Sequence, residues 1–437
     1  HYRPLPFVMW KVSLWLTGSL HAPLLHALNV ALHILNSLLV AALARRLTRG
    51  PYARLTGLIA GLLFISFPFS YQAVSWVGSA CHPLVTSLVL GALLGALGAH
   101  HWPGRVFSLV LAVAACFAHE TGVIVGGWLL VYELLYGAER RPGDRMARRL
   151  FWPLVYLIPG VVYALCYLSL NHTDNHMPAF TAERLIQNGS YLLQGLAFPI
   201  APLTRRTMAA WGWTDLQAAQ TAAVLSVALL SGVSWRGNGT GLRLLAFALC
   251  CFVSAVVPSW LMLSYSYVIS GPRLLYLASV GAALGWAGAI RAVANLGRSK
   301  GWRILALSLT ASVVAFGCQF VHAREQLHHS GGDLIWQVVE TARTAPPNRP
   351  VLIVNYPAWL APDRSVYPIG HEGVEFMPGY AYVSDLSWVN GGPRLDVMTA
   401  KFANTLRPLP GMTYGVRGPD VEWEGLAERI RVAGMVY

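Results

Sequence analysis

Chemistry in this chain has to be done with few charges, and the first carboxylate arrives only at Glu120, inside His119-Glu120-Thr121-Gly122. A soluble domain spreads carboxylates over its surface. A chain that avoids them for so long is written for a solvent that penalises them, and hydrocarbon is that solvent. A lone acid between two apolar stretches is expensive, which makes Glu120 a candidate for function. The plainer alternative is a carboxylate that marks a loop in water. A second group is the stripe His26-x-x-Asn29-x-x-x-His33, whose spacings of three and four put three polar side chains on one helix face. On a membrane helix such a stripe must meet other helices or a wet cavity, and hydrogen bonding between helices is its simplest use. The six cysteines (Cys81, Cys116, Cys166, Cys250, Cys251 and Cys318) show no CxxC or similar spacing, so neither a metal ligand set nor a disulfide framework is expected. Cys250-Cys251 reads as two small apolar residues in a helix.

The elements that must position these residues are apolar helices. Of 437 residues, 55% are hydrophobic and 12% charged, which places the chain in the polytopic membrane class. The net charge of +13 divides unevenly: His1 to Arg324 carries +16, and Glu325 to Tyr437 carries −3. The sequence therefore predicts an all-α polytopic membrane domain over 1–324 and a small α/β domain over 325–437. Apolar runs predict ten spans, at about 23–44, 56–72, 82–99, 105–119, 121–137, 150–170, 215–234, 242–262, 274–294 and 303–322. The fourth and fifth share the turn at His119-Glu120 and read as a hairpin. One set of connections carries 16 Lys/Arg residues, among them Arg45, Arg46, Arg105, Arg149, Arg243 and Arg303; the alternate set carries only Arg184, Arg205, Arg206 and Arg273. By the positive-inside rule the first set is cytoplasmic, which puts His1 and the C-terminal domain outside. Basic residues confined to such loops set topology, so nucleic acid is not implied as a partner. An outside N-terminus without an initiator Met or a signal sequence predicts one more helix upstream, eleven spans in all.

The connection 171–213 is expected to hold an interfacial or re-entrant helix over 183–203, because Gln187, Asn188, Gln194, Pro199 and Pro202 interrupt it. In the C-terminal domain a polar helix is predicted over 326–343, strands at 351–354, 374–376 and 380–383, and a terminal helix over 422–432. Asn171, Asn188 and Asn238 each start an N-x-Ser/Thr triplet, a pattern frequent by chance.

Four segments together resemble one family. Tyr2-Arg3-Pro4-Leu5 followed by His26-x-x-Asn29-x-x-x-His33 is similar to the second span of the O-mannosyltransferases with transmembrane and tetratricopeptide-repeat regions. Ala60-Gly61-Leu62-Leu63-Phe64 through Pro68 and Gln72-Ala73-Val74-Ser75-Trp76 is similar to their third helix. Phe117-Ala118-His119-Glu120-Thr121-Gly122 resembles their lysine-glutamate turn. Pro258 and then Gly271-Pro272-Arg273-Leu274-Leu275-Tyr276-Leu277-Ala278-Ser279 resembles another helix start. The matches run in order over most of 1–295, and no tetratricopeptide repeats follow.

The resemblance implies a GT-C-like membrane fold and transfer of a sugar, of hexosyl or mannosyl type, from a polyprenyl-phosphate donor at the outer face of the plasma membrane. The acceptor would be a protein or a glycan. No cofactor is implied with certainty, and a divalent metal is left open. Such transfer needs a carboxylate to take the acceptor's proton and cations or donors for the departing lipid phosphate. Glu120 is the supporting acid in that scheme, the main one being expected upstream of His1. Arg3 and Arg273 suit the phosphate, and Tyr2, His82 and His119 complete the substrate-binding set. Three departures from the family count against activity: Gln72 stands where relatives carry glutamate, Ala80 where they carry arginine, and His82 where they carry aspartate. They support an alternative, a non-catalytic subunit that keeps the fold and uses its C-terminal domain for binding. A secondary transporter fits least, since no internal symmetry is present.

Overall fold

A computed structural model describes residues 3–18, 21–48, 50, 52–99, 101–140, 145–169, 180–236, 238–296, 299–346, 349–376, 380–400 and 412–416. The chain divides into two compact units. One holds His1–Val321 with Tyr367–Gly370, the other His322–Val366 with His371–Tyr437.

The first unit is helical. Among the described residues seven helices are long and apolar enough to cross a membrane: Ala22–Leu47, Val77–Gly98, Glu120–Glu139, Met146–Ser169, Asp215–Arg236, Gly239–Met262 and Lys300–Arg343. An eighth is counted if Ala53–Ile65 and Pro68–Ser75, bent by 49° at their break, form one span. Two expected spans are shorter helices, Trp102–Ala118 and Ser279–Ala294. All ten predicted segments are thus helical, but at most eight meet the length and composition for crossing. The break at Pro68 has a local cause, because proline lacks the N–H that would continue the helix.

The side chains are distributed as a membrane protein requires. On Met146–Ser169 the outward residues Leu154, Ile158, Val161, Leu165 and Leu168 are all exposed. Polar Asn29, His33, Asn36 and Ser37 are buried on one face of Ala22–Leu47. Small residues bring backbones close: a Cβ on Gly281 would lie 2.4 Å from the Ala248 carbonyl oxygen, so Ser279–Ala294 and Asn238–Met262 touch backbone to backbone there.

The arginine-rich connections interlock. Arg46 donates to the Leu97 carbonyl, Arg243 pairs with Glu139, and Arg303 donates to the Tyr52 hydroxyl at 3.0 Å. Arg46, Arg105 and Arg149 line one cavity of about 470 Å³. Arg236 and Arg291 line another of about 490 Å³. Helix Cys81–Gly98 runs from His82 at its start to Leu97 beside Arg46, so the basic end lies roughly 22 Å from His82 at 1.5 Å per residue.

The expected interfacial helix is two short helices, Ala182–Leu196 and Ala201–Ala209. Thr181 caps the first by accepting from the Arg184 N–H. Asn188 is fully buried, and its amide donates to the Trp260 and Leu263 carbonyls. That triplet is therefore inaccessible to glycosylation. Asn171 lies outside the described residues, as does the Asn238 side chain.

The second unit holds a parallel pair, Val351–Val354 with Val397–Ala400, and an antiparallel sheet in the order Val374–Glu375, Pro357–Pro362, Met412–Val416. Its core is Leu327, Val339, Ala342, Tyr356, Leu360, Phe376, Val383 and Val397. The polar helix expected over 326–343 is the end of Lys300–Arg343, since nothing in the intervening sequence breaks it. The strand expected at 380–383 is corrected to a helix, Tyr380–Val389. Val383 and Ser387, four apart, are its buried positions, which is helical periodicity. Strands Pro357–Pro362, Val397–Ala400 and Met412–Val416 are not among the expected strands; the first is bounded by prolines, which are disfavoured within a sheet. The terminal helix expected over 422–432 lies outside the described residues.

Candidate functional site

The site gathers around the turn that joins Trp102–Ala118 to the next span. His119 has extended backbone and caps the short helix Glu120–Ile124, its Nδ1 accepting from the Thr121 N–H at 3.2 Å and lying 3.0 Å from the Thr121 hydroxyl. Gly122 is required for this turn. A Cβ there would lie 2.2 Å from the carbonyl carbon and oxygen of Ala115. The turn folds tightly onto the end of the preceding helix, and Glu120 is thereby turned toward Arg3.

Arg3 stands at the start of helix Pro4–Thr17. Its Nε donates to Glu120 Oε2 at 2.9 Å and its Nη2 to Oε1 at 2.5 Å, a two-pronged pair. Burial opposes the charge on Arg3, but the bonded carboxylate outweighs it and holds the guanidinium pKa above its ordinary value. The side chains keep 27% and 31% of their exposure, so water still reaches the pair. Arg3 Nη1 also points at Cys81 Sγ, 3.8 Å away. Glu120 Oε2 lies 3.7 Å from His119 Nδ1, and the rings of His119 and His82 are in contact, centroids 4.7 Å apart. Burial pushes the His119 imidazole well below its ordinary pKa, and the charges of Arg3 and Arg273 push it further, so it is neutral.

Arg273 forms the second half. It follows Gly271-Pro272 in the short helix Pro272–Leu275. Its Nη1 donates to Gln72 Oε1 at 2.8 Å and its Nη2 to the Tyr267 hydroxyl at 2.7 Å. The guanidinium lies over the Trp76 ring, 4.9 Å from its centroid. Gln72 is committed at both ends, its amide donating to the Ser270 carbonyl at 3.1 Å. The two halves are within electrostatic reach, because Arg273 acts on His119 and Tyr267 acts on Arg3.

Of the six site residues expected from sequence, Arg3, His82, His119 and Glu120 lie against one another and Arg273 is within electrostatic reach of them; Tyr2 lies outside the described residues. Sequence reasoning missed Cys81, Tyr267 and the ring of Trp76. It also named no metal ligands, yet the donor atoms of Cys81, His82 and His119 all lie within 4.8 Å of one another, and all three residues are buried. The adjacency Cys81-His82 was a visible signal; that His119 joins it was not.

The polar stripe serves a different purpose. His33 Nε2 donates to the Ile65 carbonyl at 3.1 Å and its Nδ1 lies 2.7 Å from the Tyr276 hydroxyl, while Asn29 donates to the Val74 carbonyl. Asn36 adds bonds to the Pro83 carbonyl and to Tyr276. These tie four segments together, and His26 is exposed and stands apart from them.

No family model, curated protein or solved structure matches this chain.

Proposed function

We propose that this membrane protein transfers a sugar from a polyprenyl-phosphate donor, and that the cluster around Glu120 and Arg273 is where the donor's phosphate and the acceptor meet. The observation that carries the reading is the meeting of two arginines, one carboxylate and two histidines from four separate segments in a chain whose first 119 residues hold no acid. Arg3 and Arg273 supply cationic donors for a departing phosphate. Glu120 holds Arg3 and faces His119, which makes it a positioning acid for the acceptor. The neutral His119 and the adjacent His82 supply hydrogen-bonding groups without adding charge. The resemblance in the membrane region, a GT-C-like arrangement, supports the same reading. So does the segregation of arginines to the far end: by the positive-inside rule the cluster then faces outward, and the C-terminal unit is extracytoplasmic.

The test is transfer of a hexose from polyprenyl phosphate by the full-length protein in detergent. A charge-assisted hydrogen bond contributes about 1.5–3 kcal/mol, so Arg3→Ala and Arg273→Ala should each lower transfer on the order of 10–100-fold. Unchanged transfer in both would remove the arginines from the mechanism. A second reading, a non-catalytic subunit, is favoured by Gln72: its amide is held by Arg273 and Ser270, and an amide takes no proton. Absence of transfer from any polyprenyl-phosphate sugar by the full-length protein would select it.

A further inference from the structure

We propose that Cys81, His82 and His119 form a binding site for one divalent transition metal ion of the zinc class, with a fourth coordination position open. The inference does not rest on the transfer reading, since metal binding is measured with no sugar or lipid donor present. Its basis is convergence: a thiol and two imidazoles, buried and from two distant segments, offer donor atoms all within 4.8 Å of one another. Zinc–sulfur bonds of about 2.3 Å and zinc–nitrogen bonds of about 2.0–2.1 Å place tetrahedral ligands about 3.5 Å apart. Closure by about 1 Å is within side-chain rotation. The donor set excludes the hard cations, because magnesium and calcium take oxygen ligands, whereas thiolate with imidazole suits zinc.

Two of the three ligands also have outer partners. Coordination through His119 Nε2 places the ring proton on Nδ1. The Thr121 hydroxyl lies 3.0 Å from that nitrogen, in position to accept the ring proton and fix the ring, while the Glu120 carboxylate stands at 3.7 Å, beyond hydrogen-bond reach. The contact from the Thr121 N–H is given up in exchange. Cys81 Sγ has the Arg3 guanidinium as its outer neighbour, with Nη1 3.8 Å away. Among the described residues the His82 imidazole makes no hydrogen bond, and its ring packs on His119. The proton balance is simple. Cys81 releases its proton to solvent, the His119 proton moves from Nε2 to Nδ1, and no electrons are transferred. One thiolate leaves the bound metal a net single positive charge, so the open position suits water or an anionic oxygen.

The experiment uses the full chain in detergent, stripped with a chelator and then equilibrated with Zn²⁺ alone. One zinc per chain is expected by elemental mass spectrometry. Cys81→Ser and His82→Gln should each weaken binding by at least about 100-fold, and Thr121→Val by about 10–100-fold. Cys318→Ser should leave it unchanged. A wild-type readout needs no variant to fold: Zn²⁺ should slow alkylation of Cys81 while leaving the exposed Cys166 as reactive as before. Zinc at background level in the wild-type chain, retained zinc in Cys81→Ser, or equal alkylation of Cys81 with and without Zn²⁺ would each overturn the assignment.

Discussion

At the scale of single residues, the Arg3–Glu120 pair is the best-defined polar contact of the site, yet each member is nearly a third exposed. Solvent therefore screens it, and a double-mutant cycle of Arg3→Ala with Glu120→Gln should return a coupling of about 1 kcal/mol in thermal unfolding. A coupling of several kcal/mol would mean a drier site than the exposure implies. The other unit supplies a contrast. Arg324 and Glu372 are both buried and paired at 2.5 Å, and Glu372 also accepts from the Val366 N–H. Glu372→Ala removes the buried carboxylate that pairs with Arg324 and accepts from the Val366 N–H, and should destabilise that unit by about 3–5 kcal/mol, read by denaturant melts followed through its tryptophans. Loss of less than about 1 kcal/mol would show that water replaces the carboxylate.

At the scale of elements, the turn at 119–124 decides whether a site exists, because it returns the chain at the right point to aim Glu120 at Arg3. Gly122 permits the close approach. Gly122→Ala drives a methyl into the Ala115 carbonyl and should cost about 1–3 kcal/mol. Gly127, one turn into the following helix, has open space where its Cβ would be. Gly127→Ala should therefore be neutral or stabilising by up to about 1 kcal/mol. Thermal melts of the two variants side by side measure the difference, and equal melting would remove the steric account of the turn. The polar stripe on Ala22–Leu47 belongs to this scale too: His33 and Asn36 hold neighbouring segments to Tyr276, the packing use that its spacing suggested.

At the scale of the whole molecule, charge and apolar surface define how the membrane unit sits in a bilayer. The arginine-rich connections contact one another about one helix length from His82, and the helices between expose leucine, isoleucine and valine. With that end in the cytoplasm, a cysteine placed at exposed Asp385 should react with a membrane-impermeant thiol reagent in intact cells. One placed at Arg54 should react only after permeabilisation. The background is a chain with Cys166, Cys250 and Cys318 changed to Ser. The reverse labelling pattern would invert the topology and move the site to the other face.

The sequence by itself determined the solvent. Absence of acids before Glu120, ten apolar runs and alternating loop charge needed no tertiary information, because hydropathy and loop charge act locally and along the chain. It also marked Glu120, since a carboxylate stands out on an apolar background; Arg3, Arg273, His82 and His119 entered as site residues through the resemblance. Which of them touch was beyond it. The choice of Glu120 as partner for Arg3, of Gln72 for Arg273, and of His119 for Cys81 and His82 depends on how helices pack, and these pairs stand 37 to 201 residues apart. The α/β unit was the least legible. A four-residue run such as 380–383 fits strand or helix equally well, and the buried face formed by Val383 and Ser387 decided for the helix.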